Sequence, residues 1–318
     1  MKKLLLLAMA LFLPGTASAQ YNEFHGFIYA NGTYQQLDYG HGYETLLYGI
    51  NDSGVIIGSA RGIGNPQDSF EFVYSNGQFD AISVPGSDHT YVADIADNGT
   101  IVGSYSPAGS GGLAGFIRDA AGNYTTFQAP GSPGSATYIM GTNGSDAVGY
   151  AGDVSSGKFQ GFILDKNGNY SVFAQDGGGY LSDINADGDL LGWKPASYPA
   201  DALNFAYIGG QRVVYPSITN GLRASKINDN GDVLFLDPSI DGHSELFYQG
   251  SWFDIAAFGA GYTSAMGLNN LGQVVGAFLY TPAPGVPEPY VWALLVAGFG
   301  IAGASLRYPL RARSLKPL

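Results

Sequence analysis

The chain has 318 residues, of which 14 are basic, 26 are acidic and 4 are histidines, and it contains no cysteine. Two basic residues lie within the first three positions and four lie after residue 306, so the chain between these ends has 8 basic and 26 acidic residues and a formal charge of −18. That charge argues against binding of nucleic acid or anionic lipid headgroups. The lack of cysteine excludes disulfides and thiolate metal sites.

Residues 1–19 have the three parts of a secretory signal peptide. They begin with Lys2-Lys3, continue through the apolar run Leu4–Leu13 and end in small residues before Gln20. This order predicts cleavage between Ala19 and Gln20. The sequence therefore predicts an exported protein, with residues 20–280 as its folded domain.

A nine-residue motif, first seen at Ile50–Gly58, organises the middle of the chain. Five further copies align to it without an internal gap: Ile95–Gly103, Gly141–Gly149, Ile184–Gly192, Ile227–Phe235 and Leu268–Gly276. Their last residues are 41 to 46 residues apart, a period that is typical of stacked repeat units. Phe235 takes the place of the final glycine in the fifth copy, which predicts an irregular unit there.

A second motif with the same period predicts β-hairpins. Short β-branched and aromatic runs flank two turn residues, which are Asn31-Gly32, Asn76-Gly77, Gly122-Asn123, Gly168-Asn169, Gly209-Gly210 and Gly250-Ser251. Asparagine and glycine tolerate the positive φ that both positions of a two-residue turn need. The Asp-x-Gly centre of the first motif indicates another tight turn, so each period holds two hairpins and four strands.

Six units of four antiparallel strands predict an all-β, six-bladed β-propeller, whereas a solenoid would pair its coils in parallel. Aromatic residues recur at one strand position, as Phe27, Phe72, Phe116 and Phe162. Their fixed phase predicts a core between blades rather than a sugar-stacking platform.

The segments that follow each nine-residue motif vary in length and composition, and equivalent loops of a repeat fold share one face. That face is often where ligands bind. Its aromatic residues are Tyr105, Phe159, Trp193 and Tyr198. We take these four as candidate ligand contacts, with simple loop packing as the alternative.

No catalytic constellation, metal site or cofactor motif is predicted. Asp183-x-Asn185-x-Asp187-Gly188 resembles the first half of a calcium-binding loop, but Lys194 stands where the bidentate glutamate is needed, so a repeat turn is the better interpretation. The recurring Asp52, Asp97 and Asp229 are likewise interpreted as turn formers. Acid/base catalysis by some carboxylate pair stays open, because the chain has many carboxylates.

The carboxy-terminal end predicts a membrane segment. A proline-rich linker at 281–289 precedes Tyr290–Leu306, which carries no charge, and the basic tail 307–318 follows. Seventeen such residues reach the lower limit for a transmembrane helix. Arg307, Arg311 and Arg313 are expected to stop transfer on the cytoplasmic side, with the propeller on the periplasmic side.

Val286-Pro287-Glu288-Pro289, the short apolar helix and the arginine cluster together resemble the PEP-CTERM sorting signal. The resemblance implies recognition by an exosortase, processing near Pro287-Glu288-Pro289, and release from the inner membrane to the cell surface or extracellular matrix. Such cargo belongs to bacteria that make exopolysaccharide and biofilm. Residues 24–280 also resemble the extracellular HAF repeats, which implies a propeller-like fold without an established chemistry.

The expected function is that of an exported, non-enzymatic scaffold that binds exopolysaccharide or a protein partner. The alternative is a secreted glycan hydrolase or lyase with its site at the central channel of the propeller.

Overall fold

The computed structural model describes twenty-four strands in six antiparallel sheets and one short 3-10 helix, Ala257–Gly259. The described residues are 23–65, 67–131, 135–175, 178–194, 203–215, 222–236 and 242–280. They all lie in one unit of contacts, Tyr21–Tyr280. Among them, no helix is long and apolar enough to cross a membrane.

The first three complete blades each use four consecutive strands. Blade 1 consists of β3 (Tyr43–Ile50), β4 (Ile56–Gly62), β5 (Ser69–Ser75) and β6 (Gln78–Ile82). Blade 2 consists of β7 (Ser87–Ile95), β8 (Ile101–Pro107), β9 (Ala114–Arg118) and β10 (Tyr124–Phe127). Blade 3 consists of β11 (Ser135–Thr142), β12 (Ala147–Asp153), β13 (Lys158–Leu164) and β14 (Tyr170–Val172).

The last three blades follow the same order, except that the sixth uses both ends of the domain. Blade 4 consists of β15 (Tyr180–Ile184), β16 (Leu190–Lys194), β17 (Leu203–Ile208) and β18 (Gln211–Val214). Blade 5 consists of β19 (Arg223–Ile227), β20 (Val233–Leu236), β21 (Ser244–Tyr248) and β22 (Ser251–Asp254). Blade 6 consists of β23 (Tyr262–Leu268), β24 (Val274–Tyr280), β1 (Glu23–Ala30) and β2 (Thr33–Leu37).

The ring closes by pairing the two ends of the domain. Strand β1 runs antiparallel to β24 and places Phe27 opposite Gly276. The sixth sheet therefore has two strands from the carboxy-terminal end and two from the amino-terminal end. The predicted six-bladed, all-β propeller is confirmed.

The predicted hairpin turns are confirmed in blades 1, 4 and 6. Asn76 and Gly77 have φ of 52° and 79°, and the equivalent pairs in the other two blades also have positive φ at both positions. In blades 2 and 3 the prediction was wrong, because the turns span five residues, Asp119–Asn123 and Asp165–Asn169. In each of them the aspartate Oδ1 accepts the backbone N–H of the asparagine. In blade 5 the turn residues are Gln249 and Gly250, one position earlier than predicted.

The third copy of the nine-residue motif is one residue shorter than its gapless alignment predicts. Thr142 pairs with Ala147 where Ile50 pairs with Ile56, so four residues form the turn instead of five. Asn143 stabilises this shorter turn, because its Oδ1 accepts the backbone N–H groups of Ser145 and Asp146.

One buried ring per blade fills the space between blades, which confirms the predicted aromatic core. These largest fully buried side chains are Phe27, Phe72, Phe116, Phe162, Phe205 and Phe235. The glycine that ends the motif makes room for the ring: a Cβ on Gly58 would lie 2.8 Å from Phe72 Cζ and would also meet the Leu46 carbonyl oxygen.

In blade 5 the buried ring comes from the other strand of the pair. Phe235 stands at the glycine position, and the residue opposite it is Glu245 instead of a phenylalanine. The Phe235 ring is fully buried and packs with Leu191 of the preceding blade and Leu222. The blade keeps its four paired strands, so the substitution that predicted an irregular unit changes which strand supplies the ring.

The motif asparagines link neighbouring blades. In five of the six steps around the ring, the Nδ2 of this asparagine donates to the backbone oxygen of the equivalent residue in the next blade: Asn51 to Ala96, Asn143 to Asn185, Asn185 to Asn228, Asn228 to Asn269 and Asn269 to Asn51. Ala96 lacks such a side chain, and there Asn98 donates to the Gly144 oxygen instead. The asparagine of the motif is therefore a connection between blades as well as a turn residue.

Candidate functional site

Each inner strand carries a β-bulge at the same repeat position. The residue after the bulge lies on the central axis side of its blade, and around the ring it is Gly49, Asp94, Gly141, Asp183, Lys226 and Gly267. Three charged residues and three glycines thus share one level of the channel, which we call the waist. It lies between two cavities that are both lined by all six blades.

A buried ion triad crosses the waist. Lys226 Nζ lies 2.6 Å from Asp94 Oδ1 and 3.9 Å from Asp183 Oδ1, and the three side chains are 7%, 11% and 6% exposed. The second oxygen of each carboxylate accepts a backbone N–H: Asp94 from Thr142 at 2.9 Å and Asp183 from Ile227 at 2.8 Å. The triad therefore ties together blades 2, 3, 4 and 5.

Burial and the neighbouring charges set the protonation of this triad. Burial is the main cause that raises the pKa of Asp183, the Asp94 carboxylate raises it further, and Lys226 opposes both. Burial alone would lower the pKa of Lys226, but the charges of Asp94 and Asp183 raise it above its ordinary value. Lys226 is therefore a permanent cation in the channel.

The waist glycines leave space for the triad. A Cβ on Gly141 would collide with Asp183 Oδ1, and a Cβ on Gly267 would lie 2.7 Å from the Gly49 Cα. Both would need backbone or the ion triad to move. The waist therefore holds the three side chains of the ion triad, and glycine at the other three positions avoids these collisions.

A cavity of about 370 Å³ lies on one side of the waist and forms what we call the channel mouth. Small-molecule sites commonly have volumes of roughly 300–1,000 Å³. Its wall includes the apolar side chains of Met140 and Met266 and the rings of Tyr150 and Trp193. Lys226 supplies a cation at its floor.

The rings at the channel mouth belong to a continuous aromatic stack. Tyr150 lies 4.9 Å from Tyr138 and 4.9 Å from Tyr180, and Tyr180 lies 4.6 Å from Trp193, all between ring centroids. The Arg223 guanidinium lies 4.2 Å from the centre of the Trp193 ring, which is a cation–π distance. These contacts hold Trp193 in place before any ligand arrives.

The Tyr150 hydroxyl is a hydrogen-bond donor at every physiological pH. Burial, followed by the neighbouring Tyr138 and Tyr180, raises its pKa to about 12. The channel mouth thus combines ring faces with a neutral phenol and two fixed cations.

The structure brings two of the four predicted ligand residues together. Trp193 lines the channel mouth, and Phe159 lies 6.3 Å from Tyr180, a neighbour of Trp193 in the same stack. Tyr105 packs instead against the buried core between blades 1 and 2. Tyr198 lies outside the described residues.

On the other side of the waist, the carboxylates of Asp52, Asp97 and Asp229 form hydrogen bonds between the turns of neighbouring blades. Asp97 accepts the Asp52 backbone N–H at 2.8 Å, and Asp229 accepts that of Ala186 at 2.8 Å. All three aspartates contact the Asn270 Nδ2 within 3.2 Å. Their use by the backbone agrees with the interpretation as turn formers.

The residues of the calcium-loop resemblance, Asp183, Asn185 and Gly188, also have structural roles. Asp183 belongs to the ion triad, and Asn185 donates to the Asn228 oxygen of the next blade. Gly188 closes the turn with φ of 81°. These contacts explain the spacing without a metal ion.

Sequence reasoning missed Lys226, Asp94 and Arg223. A signal was present, because the residue directly before five of the motif copies is glycine or charged, although the one-residue shift in the third copy hid the pattern. A lysine paired with an aspartate 132 residues away has no local signature.

Several predicted features lie outside the described residues. They are the signal-peptide cleavage pair Ala19 and Gln20, the motif Val286-Pro287-Glu288-Pro289, the helix 290–306, and the stop-transfer residues Arg307, Arg311 and Arg313.

No family model matches this chain, and no curated protein matches it. Solved structures with some likeness include a catalytically inactive virginiamycin B lyase from Staphylococcus aureus bound to quinupristin, at TM-score 0.44 and 12% identity over 81% of this chain and 100% of that one. The β-propeller domain of the Trilobed protease from Pyrococcus furiosus gives 0.46 and 13% over 75% of each chain. A triple mutant of AofleA from Arthrobotrys oligospora gives 0.48 and 12% over 82% and 84%. These distant likenesses say nothing about what this chain binds.

Proposed function

We propose that this chain is an exported cell-surface or matrix protein whose propeller binds extracellular polysaccharide at the channel mouth without catalysing a reaction on it. The observation that carries the proposal is the aromatic stack of Tyr150, Tyr180 and Trp193 beside the Arg223 guanidinium.

Sugars are recognised by ring faces that cover their apolar C–H surface and by donors and acceptors that read their hydroxyl groups. Trp193 and Tyr150 offer the first kind of contact in a cavity of about 370 Å³. Arg223 and the Tyr150 hydroxyl offer the second. Because the stack already fixes these rings, a ligand loses little affinity to ordering them.

Binding without catalysis is favoured by the state of the channel carboxylates. A general acid must give its proton to a leaving group that it can reach. Both oxygens of Asp94 are engaged by Lys226 and the Thr142 N–H, and Asp183 is held by Lys226 and the Ile227 N–H. The carboxylates thus serve the scaffold.

A glycan hydrolase or lyase is the second candidate, and one observation favours it. Asp183 has a raised pKa next to a second carboxylate in the channel, which is an arrangement that acid/base catalysts use. Screening the purified chain for turnover of neutral and acidic polysaccharides decides between the two, since a scaffold leaves every substrate intact.

Trp193→Ala is expected to weaken polysaccharide binding about tenfold or more, because it removes the ring that Arg223 and Tyr180 hold at the channel mouth. The measurement is affinity for isolated exopolysaccharide, with a glycan array to identify the sugar. Trp252→Ala is the matched control, because Trp252 is 42% exposed on the outer strand β22.

Equal loss of binding in the two tryptophan variants would contradict a site at the channel mouth. Capture of a protein partner with no affinity for any glycan would overturn the choice of polysaccharide as ligand.

The proposed route to the cell surface rests on the sequence of the two ends of the chain. The signal peptide would deliver the propeller to the periplasm, and the apolar segment at 290–306 would hold the motif Pro287-Glu288-Pro289 at the membrane for an exosortase. Each proline fixes its own φ and restricts the preceding residue, which favours an extended peptide for a protease.

Mass spectrometry of surface-released protein is therefore expected to find no peptide beyond Tyr290. Changing Glu288 to alanine should leave an unprocessed, membrane-held form. Released protein that still contains Leu318 would show that the apolar segment is a permanent anchor.

A further inference from the structure

A third cavity, of about 620 Å³, lies between blades 1 and 2, and none of the ion-triad residues lines it. Strands β3, β4 and β5 of blade 1 line one side and the first half of β7 lines the other. We call it the interblade cleft. Its wall carries the charged or titratable side chains of Glu44, Arg61, Glu71, Asp88 and His89, together with the phenols of Tyr48 and Tyr91.

Glu71 occupies a repeat position whose structural task is known from the other blades. The equivalent residues are Gly26, Gly115, Gly161, Asn204 and Ser244. Asn204 Oδ1 accepts the Ala224 N–H at 2.9 Å, and Ser244 Oγ accepts the Ala265 N–H at 2.9 Å. Where this position carries a polar side chain in place of glycine, that side chain supplies an acceptor for the inner strand of the next blade.

Glu71 uses one carboxyl oxygen as this acceptor, and its second carboxyl oxygen is unpaired. Its carboxyl accepts the Val92 backbone N–H. The other oxygen, Oε2, has no hydrogen-bond partner although the residue is only 8% exposed. Asn204 satisfies its second polar atom by donating to the Leu222 oxygen at 2.8 Å, whereas Glu71 Oε2 has no such contact in either protonation state of the carboxyl. Buried polar atoms are almost always paired, so an unpaired one needs an explanation.

The charges around Glu71 favour a cation as its missing partner. Glu44 and Asp88 bring two carboxylates to the cleft, whereas Arg61 brings one guanidinium, which donates to the Tyr48 hydroxyl at 3.1 Å. No cation of the described chain lies within 4.0 Å of Glu71. Burial raises the pKa of Glu71 to about 8, with the Val92 N–H and Arg61 opposing that rise. The carboxyl thus stays neutral until a cation arrives.

We propose that the interblade cleft binds a protonated amino sugar, whose ammonium group pairs with the Glu71 carboxylate. The exposed Tyr91 ring and Phe70 give the sugar ring an apolar face, and the hydroxyl groups of Ser83 and Ser87 line the same cleft. On binding, the Glu71 carboxyl loses its proton to the solvent and the ammonium keeps its own, so one proton is released per ligand. The cleft borders the channel mouth, because Tyr48 and Val92 line both cavities, but Glu71, Phe70 and Tyr91 belong to the cleft alone.

The test is isothermal titration calorimetry of the full-length chain at pH 6 with a glucosamine tetrasaccharide, in two buffers of different ionisation enthalpy. We expect release of about one proton per bound ligand, since Glu71 is protonated before binding and ionised after it. The N-acetylated tetrasaccharide and a glucose tetrasaccharide, which lack the ammonium group, should bind at least about tenfold more weakly.

Glu71→Gln should keep the acceptor for the Val92 N–H, and thermal unfolding checks that it folds. It should lose the proton release and about tenfold in affinity for the glucosamine ligand. Glu245→Gln is the matched control, because Glu245 is a half-buried glutamate of blade 5 that pairs with His243 at 3.1 Å. Trp193→Ala should bind the amino sugar normally, which separates this cleft from the channel mouth.

Equal affinity for the glucosamine and N-acetylated ligands would overturn the proposal, as would proton release that survives in Glu71→Gln. Equal affinity for ethanolamine would overturn the sugar part, because it would show that the cleft reads the ammonium group alone.

Discussion

Replacing Lys226 with methionine is expected to lower the free energy of unfolding by about 3–5 kcal/mol, because removal of one partner leaves buried charge uncompensated. Lys226 is the cation shared by Asp94 and Asp183 at the waist, and all three side chains are almost fully buried. Methionine fills much of the same volume. The lost stability therefore comes mainly from the two carboxylates that are left without a cation, and only slightly from lost apolar contact.

The pH dependence of this loss identifies its cause. Without Lys226, no cation opposes the burial that raises the pKa of Asp183 in the folded chain, so this pKa rises further above its value in the unfolded chain. The folded state then binds more protons than the unfolded state above the ordinary carboxylate pKa, so the stability of the variant falls as pH rises. Denaturant unfolding at pH 5 and pH 8 should show a larger deficit at pH 8.

Two further variants control this experiment. Replacing both aspartates by asparagine in the Lys226→Met background should recover much of the lost stability, because no buried charge then remains. Lys158→Met changes an exposed lysine and should have little effect. A Lys226→Met chain as stable as the wild type at pH 8 would contradict the buried triad.

Glu71 is expected to make the protein less stable as pH rises through the neutral range. Its pKa is raised from 4.5 in the unfolded chain to about 8 in the folded chain. Between these values the folded state binds more protons, so stability is highest below about pH 4.5 and is lost as pH approaches 8 and above. The shift corresponds to at most about 5 kcal/mol, since each pKa unit is worth roughly 1.4 kcal/mol.

The measurement compares unfolding free energies of wild type and Glu71→Gln at pH 5, 7 and 9. Glutamine accepts the Val92 N–H without a titratable proton, so its advantage over the wild type should grow with pH. The comparison uses the difference between the two proteins, because the raised pKa of Asp183 contributes to both in the same direction. Parallel pH profiles would contradict a buried, unpaired Glu71 carboxyl.

The sequence alone was enough to predict the number of blades, their antiparallel strands and their aromatic core. These features are local: the motif at Ile50–Gly58 carries its own turn, and Asn31-Gly32 and Asn76-Gly77 both adopt positive φ in their two-residue turns. Each repeat has the same local signals, so the period of 41 to 46 residues correctly predicted the number and size of the blades. Trp193 was a candidate because it follows the nine-residue motif of its repeat, although it lies on strand β16 and not in a loop.

Only the tertiary structure decided the features that join distant parts of the chain. Strand β1 completes the last blade because the edge of β24 needs a partner. Phe235 on β20 supplies the buried ring because β21 has Glu245 where the other blades have a phenylalanine. The sequence of β20 alone does not show this. Lys226 and Asp94 meet across 132 residues. Such contacts depend on ring closure, because an ion pair or an unpaired oxygen such as that of Glu71 is a property of the neighbours that folding supplies, and no sequence window contains them.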